Sequence, residues 1–224
     1  MGKVRVIEIH ESITAANDRA AEAIREQMRD NKTLFLNVMS APGSGKTTTL
    51  VALIRLLKDR YKIGVMDVDI KSSLDAQRVA DLAGVPSIQI HNGGLCHIDA
   101  DMTSRALMEF DARDLDILFL ENIGNMVCPA EFDTGAHKNI MIYSVPEGDD
   151  KPLKYPLMFE KSDIVLINKI DTLDYFDFNL DRARANILER NPKAKIYLIS
   201  AKTGQGMADV ASLIEEEVGE LAHR

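Results

Sequence analysis

Residues 34–48 read LFLNVMSAPGSGKTT, an apolar run from Leu34 to Met39 followed by SAPGSGKTT. A short apolar run without polar alternation, passing straight into a glycine-rich turn, predicts a buried strand, a phosphate-binding loop and a helix. Gly43 and Gly45 let the backbone curl so that its N–H groups, with those of Ser44 and Thr48, face a phosphate. A helix expected from about Thr47 to Lys58 adds the positive end of its dipole. Lys46 is expected to reach the β- and γ-phosphates, and the Thr47 hydroxyl to ligate Mg²⁺. Loops of this type usually begin with glycine. Ser40 stands there instead, which bears only on the geometry of the first turn. The loop predicts a nucleoside triphosphate without naming its base.

Working outward, further apolar runs lie at 63–68, 88–90, 117–120, 140–145, 164–167 and 196–199. Helical spacing falls between many of them, at 73–83, 98–112, 178–190 and 207–222. Residues 12–30 show one more amphipathic face, built from Ile13, Ala16, Ala20, Ala23, Ile24 and Met28, with Ser12 as its expected N-cap. Strand–helix alternation predicts an α/β fold, a doubly wound and mostly parallel sheet flanked by helices. The segments 124–138 and 146–161 read as functional or connecting loops. At 224 residues and 46% hydrophobic, the chain suits one domain over 1–224.

The charge balance, 27 Lys plus Arg against 35 Asp plus Glu, argues against broad binding to nucleic acid or anionic lipid. Two cysteines make no disulfide framework and suit a reducing compartment. The N-terminal residues are too charged for a signal peptide, and no apolar stretch approaches the roughly 20 residues a membrane span needs. A soluble, cytoplasmic protein is expected.

Asn168-Lys169-Ile170-Asp171 follows the run DIVLI. A buried Asp171 carboxylate would accept from the N1–H and 2-amino group of guanine, donors that adenine lacks on that edge. Lys169 would lie over the base and Asn168 hold the loop. Ser200-Ala201-Lys202 ends another strand, where a backbone N–H would meet guanine O6. The order of phosphate loop, NKID and SAK resembles the GTP-binding domain of P-loop GTPases, with ATP the weaker alternative. Between them Asp67, Asp69 and Asp75 are candidate Mg²⁺ ligands. Glu121-Asn122-Ile123-Gly124 looks like the DxxG switch with Glu in place of Asp; Glu121 is a further Mg²⁺ candidate, and the Gly124 N–H would sense the γ-phosphate. Lys46, Glu121 and Gly124 are thus the candidate catalytic residues. Asn125 stands where many GTPases place a water-orienting Gln, so slow intrinsic hydrolysis is expected.

Cys96-His97 and Cys128 are thiol and imidazole donors that suit Zn²⁺ and Ni²⁺. Three ligands fall one short of a tetrahedral site, which a symmetric dimer would complete. Against this stands the ordinary reading of free cysteines as small core residues. Cys128 lies four residues beyond Gly124, so a γ-phosphate-sensing loop would move a metal ligand. His10, His91, His137 and His223 read as structural or exposed.

GGLCHIDADM (93–102), ENIGNMVCPAEFD (121–133) and SAPGSGKTT together resemble the HypB family, the nickel-insertion GTPases of nickel–iron hydrogenase maturation. The resemblance implies GTP-promoted homodimerisation and a metal site at the dimer interface, falling on Cys96, His97 and Cys128. It also implies delivery of Ni²⁺ to a hydrogenase large-subunit precursor, alongside a small nickel-binding accessory protein. The N-terminal cysteine motif or His-rich run of some members is absent, so a partner is expected to supply the metal. The competing readings are a GTP-regulated dimerising module with structural zinc, a urease-type nickel accessory GTPase, and a small-molecule kinase. The second lacks its Cys-Pro-His motif here, because His97 follows Cys96 directly.

Overall fold

The structure is a computed structural model that describes residues 10–68, 81 and 83–223. Seven strands form one all-parallel sheet: β1 (Leu34–Ser40), β2 (Ile63–Val68), β3 (Ser87–Ile90), β4 (Ile117–Gly124), β5 (Lys138–Ser144), β6 (Ile164–Asn168) and β7 (Lys195–Leu198), in the order β3-β2-β4-β1-β5-β6-β7. From β1 the chain builds leftward through β2 to β3, returns to place β4 between β2 and β1, then crosses over β1 to build rightward. The carboxyl end of β1 is therefore the switch point where doubly wound sheets open a ligand crevice, and the SAPGSGKTT turn leaves the sheet there.

Both faces are covered, which is why the strands lack polar alternation. Leu34, Leu36 and Val38 pack toward helices Lys46–Leu57 and Met207–Ala222. Phe35, Leu118 and Leu120 pack with Ala21, Ile24 and Met28 of helix His10–Asp30 and with helix Ala100–Glu109. Met39 and Tyr143 pack against Ala183 and Ile187 of helix Leu180–Arg190.

Several boundaries move from their sequence expectation, each for a local reason. The first helix runs back to His10, so Ser12 lies within it and does not cap it. Helix 98–112 shortens to Ala100–Glu109 because the Asp99 side chain accepts the Met102 N–H at 2.8 Å, fixing its start. The helix expected over 73–83 lies almost wholly outside the described residues, as do Asp69 and Asp75. The loops 124–138 and 146–161 contain the short helices Cys128–Glu131, Lys151–Lys154 and Pro156–Glu160, each with proline in its first turn, where a missing N–H costs nothing.

Strand β4 continues past Leu120 to Gly124 with one extra residue against β1: Val38 pairs Glu121, but Ser40 pairs Gly124. Asn122 Oδ1 accepts the Ile123 N–H at this bulge (2.8 Å). A buried amide chain continues across the sheet, Asn122 Nδ2 to Asn37 Oδ1 (3.0 Å) and Asn37 Nδ2 to Asn139 Oδ1 (2.9 Å). The bulge brings Gly124 beside the start of the phosphate loop.

Candidate nucleotide and metal site

The turn after β1 needs its glycines. Gly45 has φ +97, and a Cβ there would lie 2.7 Å from Asn168 Nδ2. That amide donates to the Ser44 carbonyl (2.9 Å), while Asn168 Oδ1 accepts from Lys169 N–H (2.8 Å) and Ala201 N–H (3.1 Å). Asn168, 2% exposed, thus ties the phosphate loop to both base-selecting segments. Lys169 is left-handed (φ 63) and its Nζ donates to the Gly43 carbonyl at 2.7 Å. The Ser200 hydroxyl donates to Asp171 Oδ1 at 2.6 Å, fixing the orientation of a carboxylate that is exposed at the crevice mouth rather than buried as expected. The Ala201 N–H is engaged by Asn168, and Lys202 is exposed.

Ser40, fully buried, accepts from Lys46 Nζ at 3.2 Å, so the residue in the usual glycine position partners the loop lysine. The Thr47 hydroxyl donates to Glu121 Oε1 at 2.7 Å. Asp67 lies directly across from Glu121 in the β2–β4 register, and the two are 2% and 3% exposed. Two carboxylates side by side with a hydroxyl form a hard-oxygen donor set suited to Mg²⁺.

Gly124 lies against the phosphate loop: a Cβ there would meet Pro42 Cα at 3.2 Å and Pro42 N at 3.3 Å. Asn125 is engaged locally: its Oδ1 accepts the Val127 N–H (2.9 Å), shaping the turn into helix Cys128–Glu131. At the head of that helix Cys128 Sγ lies 2.6 Å from Cys96 Sγ. Proximity of the Cys96 sulfur, then burial, holds the Cys128 thiol above its ordinary pKa. His97 Nδ1 is 3.9 Å from Cys96 Sγ, and its ring stacks on Phe132 with centroids 3.8 Å apart. The fold thus joins the two thiols, 32 residues apart in sequence, and leaves His97 at their edge. Among the described residues no three His, Cys, Asp or Glu side chains within one chain are arranged to hold a metal ion.

Two groups escaped sequence reading. Glu147 accepts from the Ser44 hydroxyl at 2.8 Å, and the Asn37–Asn122–Asn139 chain fixes the strands beneath the site. Glu147 belongs to no motif, and Asn122 fills a position that the switch motif leaves unspecified.

A phosphate loop at the switch point of a doubly wound parallel sheet, tied to the NKID and SAK turns at the ends of β6 and β7, defines a P-loop nucleotide-binding domain. Consistent with that class, residues 34–198 match the family model described as "CobW/HypB/UreG, nucleotide-binding domain". The hydrogenase maturation factor HypB of Escherichia coli (strain K12) is 41% identical over 217 residues, covering 97% of this chain and 74% of its own. The crystal structure of the HypB of Archaeoglobus fulgidus superposes with TM-score 0.84 at 35% identity, covering 91% of this chain and 99% of that one. A structure of Helicobacter pylori HypB in complex with nickel gives TM-score 0.84 at 37% identity, covering 92% and 96%. The chain belongs to the HypB family of hydrogenase maturation factors. No helix among the described residues is long and apolar enough to cross a membrane.

Proposed function

We propose that the chain is a cytoplasmic, GTP-hydrolysing metallochaperone that delivers Ni²⁺ to a hydrogenase large-subunit precursor, its nucleotide state setting its metal affinity. The observation that most supports this is the close approach of Gly124 to Pro42, with Cys128 four residues further on against Cys96. Loss of the γ-phosphate frees Gly124 and shifts a metal-binding thiol.

Guanine is selected by Asp171, oriented by Ser200, with Lys169 beside the base plane. The N–H groups of Gly43 to Thr48 and the Lys46 ammonium hold the phosphates, Lys46 exchanging Ser40 for an anionic oxygen. Thr47, Glu121 and Asp67 are the residues present that fit Mg²⁺, which when bound neutralises charge on the β- and γ-phosphate oxygens. Asn125, engaged in its own turn, supplies no water-orienting amide, and intrinsic turnover is accordingly slow.

Cys96, His97 and Cys128 are the ligands for the transported ion. A second copy of the chain supplies the remaining donors, so GTP-promoted dimerisation completes the site. Ni²⁺ arrives from a small nickel-binding partner. Nickel titration of the wild type, Cys96→Ala and Cys128→Ala with a non-hydrolysable GTP analogue tests this assignment. Each substitution is expected to abolish the nickel-dependent thiolate absorption and the nickel-stabilised dimer. Retention of both by either variant would refute the ligand set. Zn²⁺ bound equally in both nucleotide states would favour a structural role instead.

A further inference from the structure

Residues 144–150, SVPEGDD, lie outside every nucleotide motif, yet they hold the phosphate loop. The Ser44 hydroxyl lies 2.8 Å from Glu147 Oε1 and 2.8 Å from the Ala41 carbonyl, and Ser44 is 1% exposed. The same Glu147 oxygen accepts the Ser144 N–H and the Ser144 hydroxyl, both at 2.8 Å.

Glu147 is itself fixed, because its segment is anchored on both sides. The Tyr143 hydroxyl donates to the Gly148 carbonyl, and Gly148 takes φ +85 to make the bend. Asp149, 4% exposed, accepts the Asn179 N–H at 2.7 Å and Arg182 Nη2 at 2.6 Å. Burial opposes ionisation of Asp149, but the hydrogen bonds from Arg182 and Asn179 outweigh it and hold the carboxyl below its ordinary value. Asn186 Nδ2 adds a bond to the Asp149 carbonyl (3.2 Å). On the other side of the loop Asn168 donates to the Ser44 carbonyl. Ser44 is therefore clamped between an immobilised carboxylate and the amide of the base-selecting turn.

We propose that Glu147 is a positioning residue for nucleotide binding: by accepting the Ser44 hydroxyl it fixes the turn whose N–H groups meet the β-phosphate. This rests on the reading of residues 40–48 as the phosphate loop. Because GTP and GDP both use that turn, the contribution falls on binding common to the two and leaves the chemical step alone. The need is for an acceptor oxygen, which glutamine also offers.

Binding of fluorescent GTP-analogue and GDP to the full chain with Mg²⁺, together with steady-state GTP hydrolysis, tests the assignment. Glu147→Ala is expected to weaken both nucleotides alike by about tenfold and to raise KM with little change in kcat. Glu147→Gln is expected to restore most of the loss. Ser44→Ala combined with Glu147→Ala should bind no more weakly than the worse single variant, since each already removes the shared Ser44–Glu147 hydrogen bond. Wild-type affinity in Glu147→Ala, a Glu147→Gln as weak as Glu147→Ala, or multiplicative losses in the double variant would each overturn the proposal. If Glu147→Ala fails to fold, amide exchange in Ser44→Ala decides: faster exchange over 145–148 supports the clamp, unchanged exchange overturns it. A wild-type chain that binds neither nucleotide would instead refute the phosphate-loop reading itself.

Discussion

Two residues with similar surroundings in sequence behave differently once folded. Cys96 meets Cys128, whereas His97, its immediate neighbour, stacks on Phe132. The spacing of motifs made the thiol pair legible; ring orientation depended on Phe132, a residue 35 positions away whose stacking no motif specifies. Asp171 was singled out because guanine recognition would need a carboxylate at one place in NKID; in the fold the Ser200 hydroxyl fixes its orientation. Asp171→Asn replaces an acceptor with a donor, and we expect GTP affinity to fall by about 100-fold or more while xanthosine triphosphate gains; competition binding checks both. His137, read as structural or exposed, proves structural: its Nδ1 accepts the Phe35 N–H at 3.0 Å, and its own N–H donates to the Phe35 carbonyl at 2.8 Å. Burial, helped by the charges of Arg29 and Arg25, outweighs a hydrogen bond with the Arg25 backbone and the charge of Glu22 and holds the imidazole pKa below its ordinary value. The unfolded chain therefore binds more protons below about pH 6.5, and stability falls as pH drops from 7 toward 5. Urea unfolding at several pH values should show that slope flattened in His137→Asn, whose amide oxygen keeps an acceptor for Phe35.

At the scale of elements, the strands were legible because a sheet covered on both faces demands unbroken apolar runs, and Phe119 and Leu166 in the core are such positions. What opposed that rule could not be read. Asn37 and Asn122 sit within buried strands at 2% and 1% exposure, and their partners are 102 and 85 residues away in sequence. Only the packed sheet shows that the amides satisfy one another and absorb the N–H displaced by the β4 bulge. Asn37→Leu leaves Asn122 and Asn139 each with an unmet polar atom, at a cost of about 2–4 kcal/mol. Denaturant unfolding measures it; a loss under about 1 kcal/mol would mean that the chain of amides is not what fixes the strands. The same bulge brings Gly124 to the phosphate loop, so the register of β4 belongs to the proposed switch. Gly124→Ala forces Pro42 to give way by a few tenths of an ångström, and we expect weaker binding of a non-hydrolysable GTP analogue with GDP binding less affected.

Across the whole molecule the topology decides which chemistries meet. The parallel strands put the SAPGSGKTT turn, the Glu121–Gly124 strand end and the NKID turn together at the carboxyl end of the sheet. The thiol pair then lies one turn, residues 125–127, beyond Gly124 at the nucleotide crevice, and the proposed coupling of the two sites runs through that turn. Coupling of this kind is reciprocal: if nucleotide changes metal affinity, metal must change nucleotide affinity by the same factor. The most direct test is the Ni²⁺ dissociation constant of the full chain measured with a non-hydrolysable GTP analogue and again with GDP, beside the converse nucleotide titrations with and without Ni²⁺. The account predicts a nickel affinity that differs by about tenfold or more between the two states, matched in the nucleotide titrations and reduced in Gly124→Ala. Equal nickel affinity in the two states would contradict it.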